Sequence, residues 1–594
     1  MQTFLALCWP SADLEAARFV GSWGAAPDGM ATWRAVVRRP GLQVWTPRSG
    51  GPAIRPIAGG VVLGDVFPRR GGGRWMAGAD DAGPSSTEGV ARRLSADAWG
   101  GYVALLPDSA MQVWSVFRDP SGALDAITWR RDGVAVVADD LTASPCGLLP
   151  ADLDLDWRVI TEIICRPLAT SHLSPLGGVH VVAPGDLQTA GAGADTAQPI
   201  WRPARYADPK LAASPAALRQ VVLDTVSDLA GVHDALIAEV SGGLDSAIVA
   251  GALVATGHRG RVRAGLNFHA PQREGDERAY AEAVCARLDA PLVTRRSFTD
   301  LITAHDLAAF AGSAGPAFAS VDFARDRHTA AVLREAGARA LFGGHGGDAV
   351  FFQMPSPTIV GDVVASRGLA AALDPDVVGL ARRLRRSVWS VMAGARQAAQ
   401  APVGAPPRTA RFWGPTARES TPLAPHPWLR DLDGLHPAKQ LQLQYLTTSQ
   451  GATRRCARGG VGPLVRPLLA QPVLEAWLPT PAAQLAAGGG ERGLARQLFG
   501  DLVPEVVVQR RSKGALTSAY TRGMAASLDV MRPHLLDGAL VRAGLLDRDA
   551  VDAALQPDRL IRDNAGVRLI RAALIESWVR HWQARTRDRR EPDR

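Results

Sequence analysis

A short run of small and acidic residues at positions 241–246 has the composition of an anion-binding loop. It follows an apolar run at 235–238 and precedes a helical pattern that begins at 247. Its glycines let backbone N–H groups approach an oxyanion, and the helix start adds partial positive charge. Its hydroxyls can donate hydrogen bonds, and its carboxylate can hold a divalent cation. The same residue types also make a capped turn, but the strand before and the helix after favour a phosphate site. The predicted binding residues are Ser241, Gly242, Gly243, Asp245 and Ser246.

The chain that must position this loop changes character near residue 205. Residues 1–205 contain many short β segments divided by Gly, Pro and Asp, with few helical patterns apart from one at 85–94. From 215, strands at 235–240, 262–268, 291–295 and 339–343 alternate with amphipathic helices, which predicts a parallel, doubly wound sheet. The chain after 436 is mainly helical, and the segment 353–436 is predicted to be an insertion or a mobile region. We therefore expect an α/β protein with two domains, 1–205 and 206–594.

The bulk composition argues against several classes of protein. With 594 residues, of which 47% are hydrophobic and 21% charged, the chain is expected to be globular and soluble. We find no apolar run of membrane-spanning length and no basic signal peptide, so we expect no membrane association and a cytoplasmic location. The five cysteines form no C-x-x-C pair, which argues against a zinc site. The net charge of +8 comes without a nucleic-acid-binding motif, so an anionic substrate such as ATP or an acidic peptide accounts for it.

The loop at 241–246 resembles the pyrophosphate-binding loop of the PP-loop ATP pyrophosphatases, which cleave ATP to AMP and pyrophosphate. It differs from a Walker loop because no Gly-Lys-Ser/Thr follows the glycines. The resemblance implies that residues 206–594 form a PP-loop ATP pyrophosphatase domain. It also implies that the chain adenylates an acid and does not transfer a γ-phosphate.

The N-terminal part resembles the glutaminase domain of class II asparagine synthetases. The resemblance rests on Trp-Gly-Gly-Tyr-Val-Ala at 99–104, Phe-Arg-Asp-Pro-Ser-Gly at 117–122 and a Pro-Gly element that ends at 185. It implies an αββα sandwich of the Ntn type over 1–205. Such a domain uses an N-terminal cysteine as its nucleophile. Here position 2 is Gln2, and the nearest thiol, Cys8, lies in an apolar run typical of a core. We therefore predict an inactive glutaminase, so the attacking amine must belong to the substrate.

Further stretches at 265–281, 341–352 and 510–514 are similar to the synthetase part of that family. The resemblance implies that Val240 and Leu266 contact adenosine through strand-end backbone, although both also suit ordinary sheet core. For Glu277 we favour a helix-capping role. By the same resemblance, Gly343 and Gly344 approach the α-phosphate and ribose, and Asp348 joins Asp245 in holding Mg²⁺. Lys513 would stabilise charge on the acyl-adenylate and the departing pyrophosphate.

His345 occupies a position that holds a catalytic tyrosine in the related β-lactam synthetases. A histidine there could accept a proton from an attacking amine, because its unperturbed pKa is near neutrality. It could equally be a loop residue that only shapes the pocket. Both hypotheses stay open at this point.

Two types of family member work without a glutaminase: the β-lactam synthetases and the lasso peptide cyclases. The length, the long insertion and His345 look more like the lasso cyclases. That resemblance implies ATP and Mg²⁺ as cofactors and a leader-cleaved core peptide as substrate. The enzyme would adenylate an Asp or Glu side chain and join it to the N-terminal amine. A leader peptidase and a leader-recognition protein are the implied partners. The alternatives are a β-lactam synthetase-like small-molecule ligase, a glutamine-hydrolysing asparagine synthetase and a non-catalytic scaffold.

Overall fold

The computed structural model is described here for residues 3–24, 32–48, 50–69, 86–141, 146–167, 169–269, 276–297, 301–309, 311–318, 321–353, 356–399, 412–451, 456–486, 491–510, 517–563 and 565–590. These residues form a mixed α/β fold, as predicted from the sequence. Within them, no helix is both long and apolar enough to cross a membrane.

Antiparallel strands dominate the N-terminal part and form two sheets. In chain order the strands are β1 (Leu5–Cys8), β2 (Trp33–Arg39), β3 (Leu42–Pro47), β4 (Ile54–Ile57), β5 (Gly60–Pro68), β6 (Ala98–Pro107), β7 (Trp114–Arg118), β8 (Ile127–Arg131), β9 (Val134–Ala138), β10 (His180–Val181), β11 (Asp186–Thr189) and β12 (Gln198–Pro199). The first sheet has the order β10-β8-β9-β1-β3-β2, and the second has the order β12-β11-β7-β6-β5-β4. Side chains from both sheets, such as Ala6 and Val103, share one buried core, so the sheets pack face to face.

Helices cover the outer faces of these two sheets. They are α1 (Leu14–Gly24), α2 (Thr87–Asp97) and α3 (Trp157–Cys165). Helices α1 and α3 pack on the first sheet and α2 packs on the second. Only α2 was predicted from the sequence pattern, and α1 and α3 were not. The signals were present, because Asp13 accepts the N–H groups of Glu15 and Ala16, and Asp156 caps α3 in the same way.

A parallel sheet forms the second part of the fold. Its strands are β13 (Leu236–Glu239), β14 (Val262–His269), β15 (Leu292–Arg296), β16 (Leu341–Phe342) and β17 (Leu464–Val465), in the order β15-β14-β13-β16-β17. The four predicted strands are confirmed, and β17 is an addition. The chain leaves β13 toward β14 on one side and returns as β16 on the other. The carboxyl ends of β13 and β16 therefore meet at a topological switch point, where α/β proteins bind ligands.

Helices pack on both faces of the parallel sheet and form most of the remaining chain. The first of them in chain order are α4 (Pro215–Gly231), which precedes β13, and then α5 (Leu244–Ala255), α6 (Arg278–Leu288), α7 (Ala304–Ala308), α8 (Phe323–Glu335) and α9 (Gly347–Val350). Helices α4, α5 and α6 share one core with the sheet, and α8 lies in the core on the opposite face. The labels Ntn-type and PP-loop-type for the two parts remain predictions.

The segment 353–436, expected to be an insertion or a mobile region, contains ordered helices in its described part. They are α10 (Gly361–Arg367), α11 (Pro375–Leu384), α12 (Val388–Ala399) and α13 (Pro415–Arg418). Val364, Leu380 and Val391 of these helices belong to the same core as α4–α6, so this part is not a plain loop.

The chain after 436 is mainly helical, as predicted. Its helices are α14 (Pro437–Gly451), α15 (Gln471–Trp477), α16 (Ala482–Leu485), α17 (Gly493–Phe499), α18 (Glu505–Val508), α19 (Thr517–Ala526), α20 (Leu528–Leu536), α21 (Ala539–Arg542), α22 (Arg548–Ala554), α23 (Pro557–Asp563) and α24 (Gly566–Arg590). Several of the last helices join the core of α1 and α3, so the C-terminal chain packs back on the N-terminal sheets.

Candidate active site at the ends of two parallel strands

The loop after β13 is closed by its own hydroxyl groups. The N–H of Ser241 donates to Oγ of Ser246 at 3.2 Å, and the two Oγ atoms lie 3.1 Å apart. Oγ of Ser246 also donates to the carbonyl of Gly243 at 3.1 Å. Gly243 is the N-cap of α5 and has no side chain with which to cap the helix. The N-terminal end of α5 therefore carries partial positive charge beside two hydroxyls, an arrangement that suits a phosphate.

The loop after β16 lies directly on the first loop. A Cβ added at Gly344 would collide with the backbone N of Ser246, and one added at Gly347 would lie 2.5 Å from Cγ of Asp245. Gly344 is therefore needed because the two backbones touch, and Gly347 because the Asp245 side chain packs directly on it. Nucleotide contact by Gly343 and Gly344 stays a prediction, and the packing role of Gly344 was not predicted from the sequence. The N–H of Gly343 donates to the carbonyl of Val465 in β17.

A single guanidinium lies between the two predicted magnesium ligands. Nη1 of Arg492 is 2.9 Å from Oδ2 of Asp245 and 3.5 Å from Oδ1 of Asp348. The Arg492 and Asp245 side chains are 7% and 11% exposed, whereas the Asp348 side chain is 50% exposed. Arg492 has a left-handed backbone with a φ of 56°. The structure thus brings together two carboxylates from distant parts of the chain, as the sequence predicted, and adds an arginine to which no role was assigned.

The donor set around Arg492 fits a magnesium ion. Mg²⁺ binds through one or two protein carboxylates and completes its shell with water and phosphate oxygens. Asp245 and Asp348 already converge on one positive group. In the part of the chain that the structure describes, no cluster of three or more His, Cys, Asp or Glu side chains forms a closed metal site. Magnesium binding by the two aspartates remains a prediction that this geometry supports.

His345 is exposed at the edge of the second loop, and its Nε2 lies 2.9 Å from the carbonyl of Ser449 in α14. Because a carbonyl only accepts, Nε2 carries the hydrogen, and Nδ1 of the neutral ring is the proton acceptor. Although part of the residue is exposed, the surrounding loops desolvate the ring and, with the charge of Arg466, lower the pKa of His345; the Ser449 carbonyl, Glu239 and Asp348 oppose the shift. A neutral ring with a basic Nδ1 suits a general base, and a purely structural role remains the alternative.

A second arginine ties the first loop to the chain that leads toward Lys513. Nη1 of Arg510 donates to the carbonyl of Gly242 at 2.8 Å, and its guanidinium also pairs with Glu277. We expected Glu277 to cap a helix. Glu277 is the N-cap residue of α6, but its side chain makes no capping bond and pairs with Arg510 instead. Lys513 itself lies outside the described residues, as does Gln2.

Val240 and Leu266 lie in the interior of the sheet and are 0% exposed. The N–H of Val240 donates to the carbonyl of Leu266 at 2.8 Å, and Asn267 Nδ2 donates to the carbonyl of Val240 at 2.7 Å. These contacts match the sheet-core alternative. Adenosine contact through this backbone stays a prediction.

A cavity of about 380 Å³ lies between the N-terminal sheets and β17. Asp65, Ser121 and Asp125 line one side, and Arg466 and Leu469 line the other. A Cβ at Gly346 would overlap the Leu469 side chain, so the cavity wall abuts the loop that carries His345. The cavity therefore adjoins the site on the side of the N-terminal part.

The site is that of an α/β protein whose two neighbouring strand-end loops present hydroxyls, a helix N-terminus and paired carboxylates. The Asparagine synthase family matches residues 217–580, more than half of the chain. The chain belongs to this family, and it is thereby an ATP-dependent ligase of the amide-forming class. A search of curated proteins finds no match. The family match covers the parallel sheet and both loops, and it begins after β12.

Proposed function

We propose that this protein closes a peptide macrolactam by adenylating a side-chain carboxylate and joining it to an amine of the same peptide. The observation that carries the adenylation is the contact between the two strand-end loops. This contact places Asp245 and Asp348 beside the hydroxyl-lined start of α5. The substrate we favour is a leader-cleaved core peptide of the lasso type, with an Asp or Glu acceptor. A separate peptidase and a leader-recognition protein would supply it.

The roles of the described residues are proposed from their positions, and that of Lys513 from the resemblance of 510–514 to the synthetase family. Ser241, Ser246 and the start of α5 would bind the pyrophosphate end of ATP. Asp245 and Asp348 would hold Mg²⁺, which neutralises phosphate charge when bound. Lys513 would stabilise negative charge on the leaving pyrophosphate.

The amine is proposed to come from the substrate because Cys8 cannot act as a glutaminase nucleophile. Cys8 is 1% exposed in β1 and lies in the core between the two antiparallel sheets. Burial raises the pKa of its thiol, which keeps it protonated and unreactive. Ammonia from glutamine is therefore not the expected nucleophile.

The proposed reaction has two steps, adenylation of the carboxylate and attack of the amine. A carboxylate oxygen of the peptide attacks the α-phosphorus of ATP, and the bond to pyrophosphate breaks. The peptide amine then attacks the acyl carbon, its proton passes to Nδ1 of His345, and AMP leaves with the carboxylate oxygen. The peptide loses one water in total.

Incubation with ATP, Mg²⁺ and a synthetic core peptide with a free N-terminus tests the proposal. We expect equal amounts of AMP and pyrophosphate by chromatography and a peptide lighter by one water in mass spectrometry. Asp348→Ala should abolish both products, while Asp549→Ala, on the exposed face of α22, should not. Formation of ADP in place of AMP would refute adenylation. AMP formation only with a small amino acid, or ammonia release from glutamine, would refute the peptide substrate and support an alternative ligase.

A further inference from the structure

Helix α14 contacts the second loop of the candidate site through two buried polar side chains. Lys439 and Gln442 are 3% and 0% exposed and lie one turn apart on this helix. Nζ of Lys439 donates to Oε1 of Gln442 at 2.8 Å and to the carbonyl of Thr480. A buried lysine is costly unless its donors are satisfied, and these contacts satisfy two of them.

Gln442 also forms hydrogen bonds with α9, the helix that carries Asp348. Its Nε2 donates to the carbonyls of Ala349 and Val350, each at 3.0 Å. These are the last two residues of the one-turn helix α9, which begins at Gly347. The last carbonyls of a helix have no partner within it, so the amide fixes the C-terminal end of α9.

The hydrogen bond from Lys439 fixes the orientation of the Gln442 side-chain amide. An ammonium group only donates hydrogen bonds, so the oxygen of the amide must face Lys439. Nε2 must then face α9, where both carbonyls need a donor. Burial lowers the pKa of Lys439 to about 7, with Asp362 as the opposing charge. A neutral amine keeps two N–H groups, so both hydrogen bonds persist in either protonation state.

We infer that Lys439 and Gln442 are positioning residues that hold Asp348 in place for metal-nucleotide binding. The inference rests on the proposed function, since it assumes that Asp348 binds Mg²⁺. Neither residue touches Asp348 directly. They act by anchoring α9, whose start lies against Asp245 at Gly347.

The test measures the Mg²⁺ concentration that gives half of the maximal rise in melting temperature in the presence of ATP without peptide, a binding readout that needs no turnover. The Mg²⁺ concentration that gives half-maximal pyrophosphate release, at saturating ATP and peptide, is measured beside it. Gln442→Glu places an acceptor opposite two carbonyls, and Gln442→Met keeps the side-chain length without any donor. We expect both to raise the half-maximal Mg²⁺ concentration by about tenfold or more, as for partners of metal ligands generally. The maximal rate at saturating Mg²⁺ should change much less. Lys439→Met should act in the same direction, and Lys439→Gln, which keeps an N–H donor, should recover most of the effect.

Gln444→Glu is the matched control, because Gln444 lies on the same helix and is only half-buried. It should leave the Mg²⁺ dependence unchanged. If Gln442→Met and Lys439→Met both keep the wild-type Mg²⁺ dependence, the positioning role is wrong. An equal loss of rate at every Mg²⁺ concentration would indicate a general structural role and would also overturn it. If the wild-type protein releases no pyrophosphate, the proposed function fails. That failure is distinguishable from failure of the positioning role, in which the wild type is active and the variants keep its Mg²⁺ dependence.

Discussion

Replacement of Arg492 by methionine tests whether a protein cation occupies the position of the metal. Arg492 and Asp245 are 2.9 Å apart and both nearly buried. Removing one partner of such a pair costs about 3–5 kcal/mol, because the other charge is left in a poor environment. The Asp348 side chain is half exposed and lies 3.5 Å away, so its pairing adds at most about 1 kcal/mol. We therefore expect Arg492→Met to lower the free energy of unfolding by about 3 kcal/mol in the absence of Mg²⁺.

Magnesium should reverse this loss. With the guanidinium removed, Asp245 and Asp348 lose their shared partner, and Mg²⁺ no longer competes with Arg492 for them. A ligand that binds only the folded state stabilises it by about 2.7 kcal/mol at 100 times its dissociation constant. Saturating Mg²⁺ should thus restore most of the stability of Arg492→Met. The wild-type protein should respond less, because Mg²⁺ must displace Arg492 or bind beside it.

The assay is thermal unfolding at increasing Mg²⁺ concentration without nucleotide. Arg496→Met is the matched control, since Arg496 is also partly buried but donates to the carbonyls of Glu491 and Arg510 and to that of Val508. It should lower the melting temperature with no recovery in Mg²⁺. If Mg²⁺ stabilises Arg492→Met no more than the wild type and Arg496→Met, Arg492 does not stand at the metal position. Wild-type stability of Arg492→Met without Mg²⁺ would contradict the buried pairing itself.

Three further predictions concern stability and the identity of the nucleophile. Burial lowers the pKa of Lys439 from 10.5 to about 7, so between these values the unfolded chain binds a proton that the folded protein lacks. The unfolding free energy of the wild type should therefore rise from pH 7 to 9 relative to Lys439→Met, by at most about 1.4 kcal/mol per pH unit, in urea titrations. Gly347→Ala should abolish ATP-dependent pyrophosphate release because its Cβ would press on the carboxylate of Asp245, whereas Gly361→Ala, with open space around its Cβ, should keep it; equal activity of the two would contradict the loop contact. Cys8→Ser should lower the unfolding free energy by about 1–3 kcal/mol while formation of the cyclised peptide persists; release of ammonia from glutamine by the wild type, lost in folded Cys8→Ser, would reopen the glutaminase hypothesis.

Local sequence patterns were enough to place the strands and the loops. The apolar run before Ser241 ends in glycines, and the same change from apolar to glycine occurs before Gly343. Strand ends on one edge of a parallel sheet lie together, which agrees with the closeness of Asp245 and Asp348 that the family resemblance implied. The pairing of β13 with β16 did not follow from the pattern, because strand order depends on long-range packing. Helices α1 and α3 were missed although each begins at a capping aspartate, which was the available signal.

The contacts that complete the site are not visible in local patterns. Arg492 contacts Asp245 although the two residues are far apart in the sequence. Its backbone is left-handed, a conformation that no sequence motif predicted. The glycine at 347 suggests a phosphate loop, whereas in the structure it avoids a collision with Asp245. Glu277 has the position of a helix cap but finds a stronger partner in Arg510. In each case the role of the residue depends on a tertiary contact that the neighbouring residues in the sequence do not specify.

The charge balance around the first loop bears on which cations the proposed adenylation would use. Arg492 is engaged with two carboxylates, Arg510 with Glu277 and the carbonyl of Gly242, and Arg496 with backbone carbonyls. Each guanidinium is therefore fixed in a structural contact before any nucleotide binds. A departing pyrophosphate carries several negative charges, which helix N–H groups and two hydroxyls offset only in part. Lysine at 513 and a magnesium ion between the aspartates are the proposed sources of the remaining positive charge, so Lys513→Met should slow adenylation far more than it changes stability.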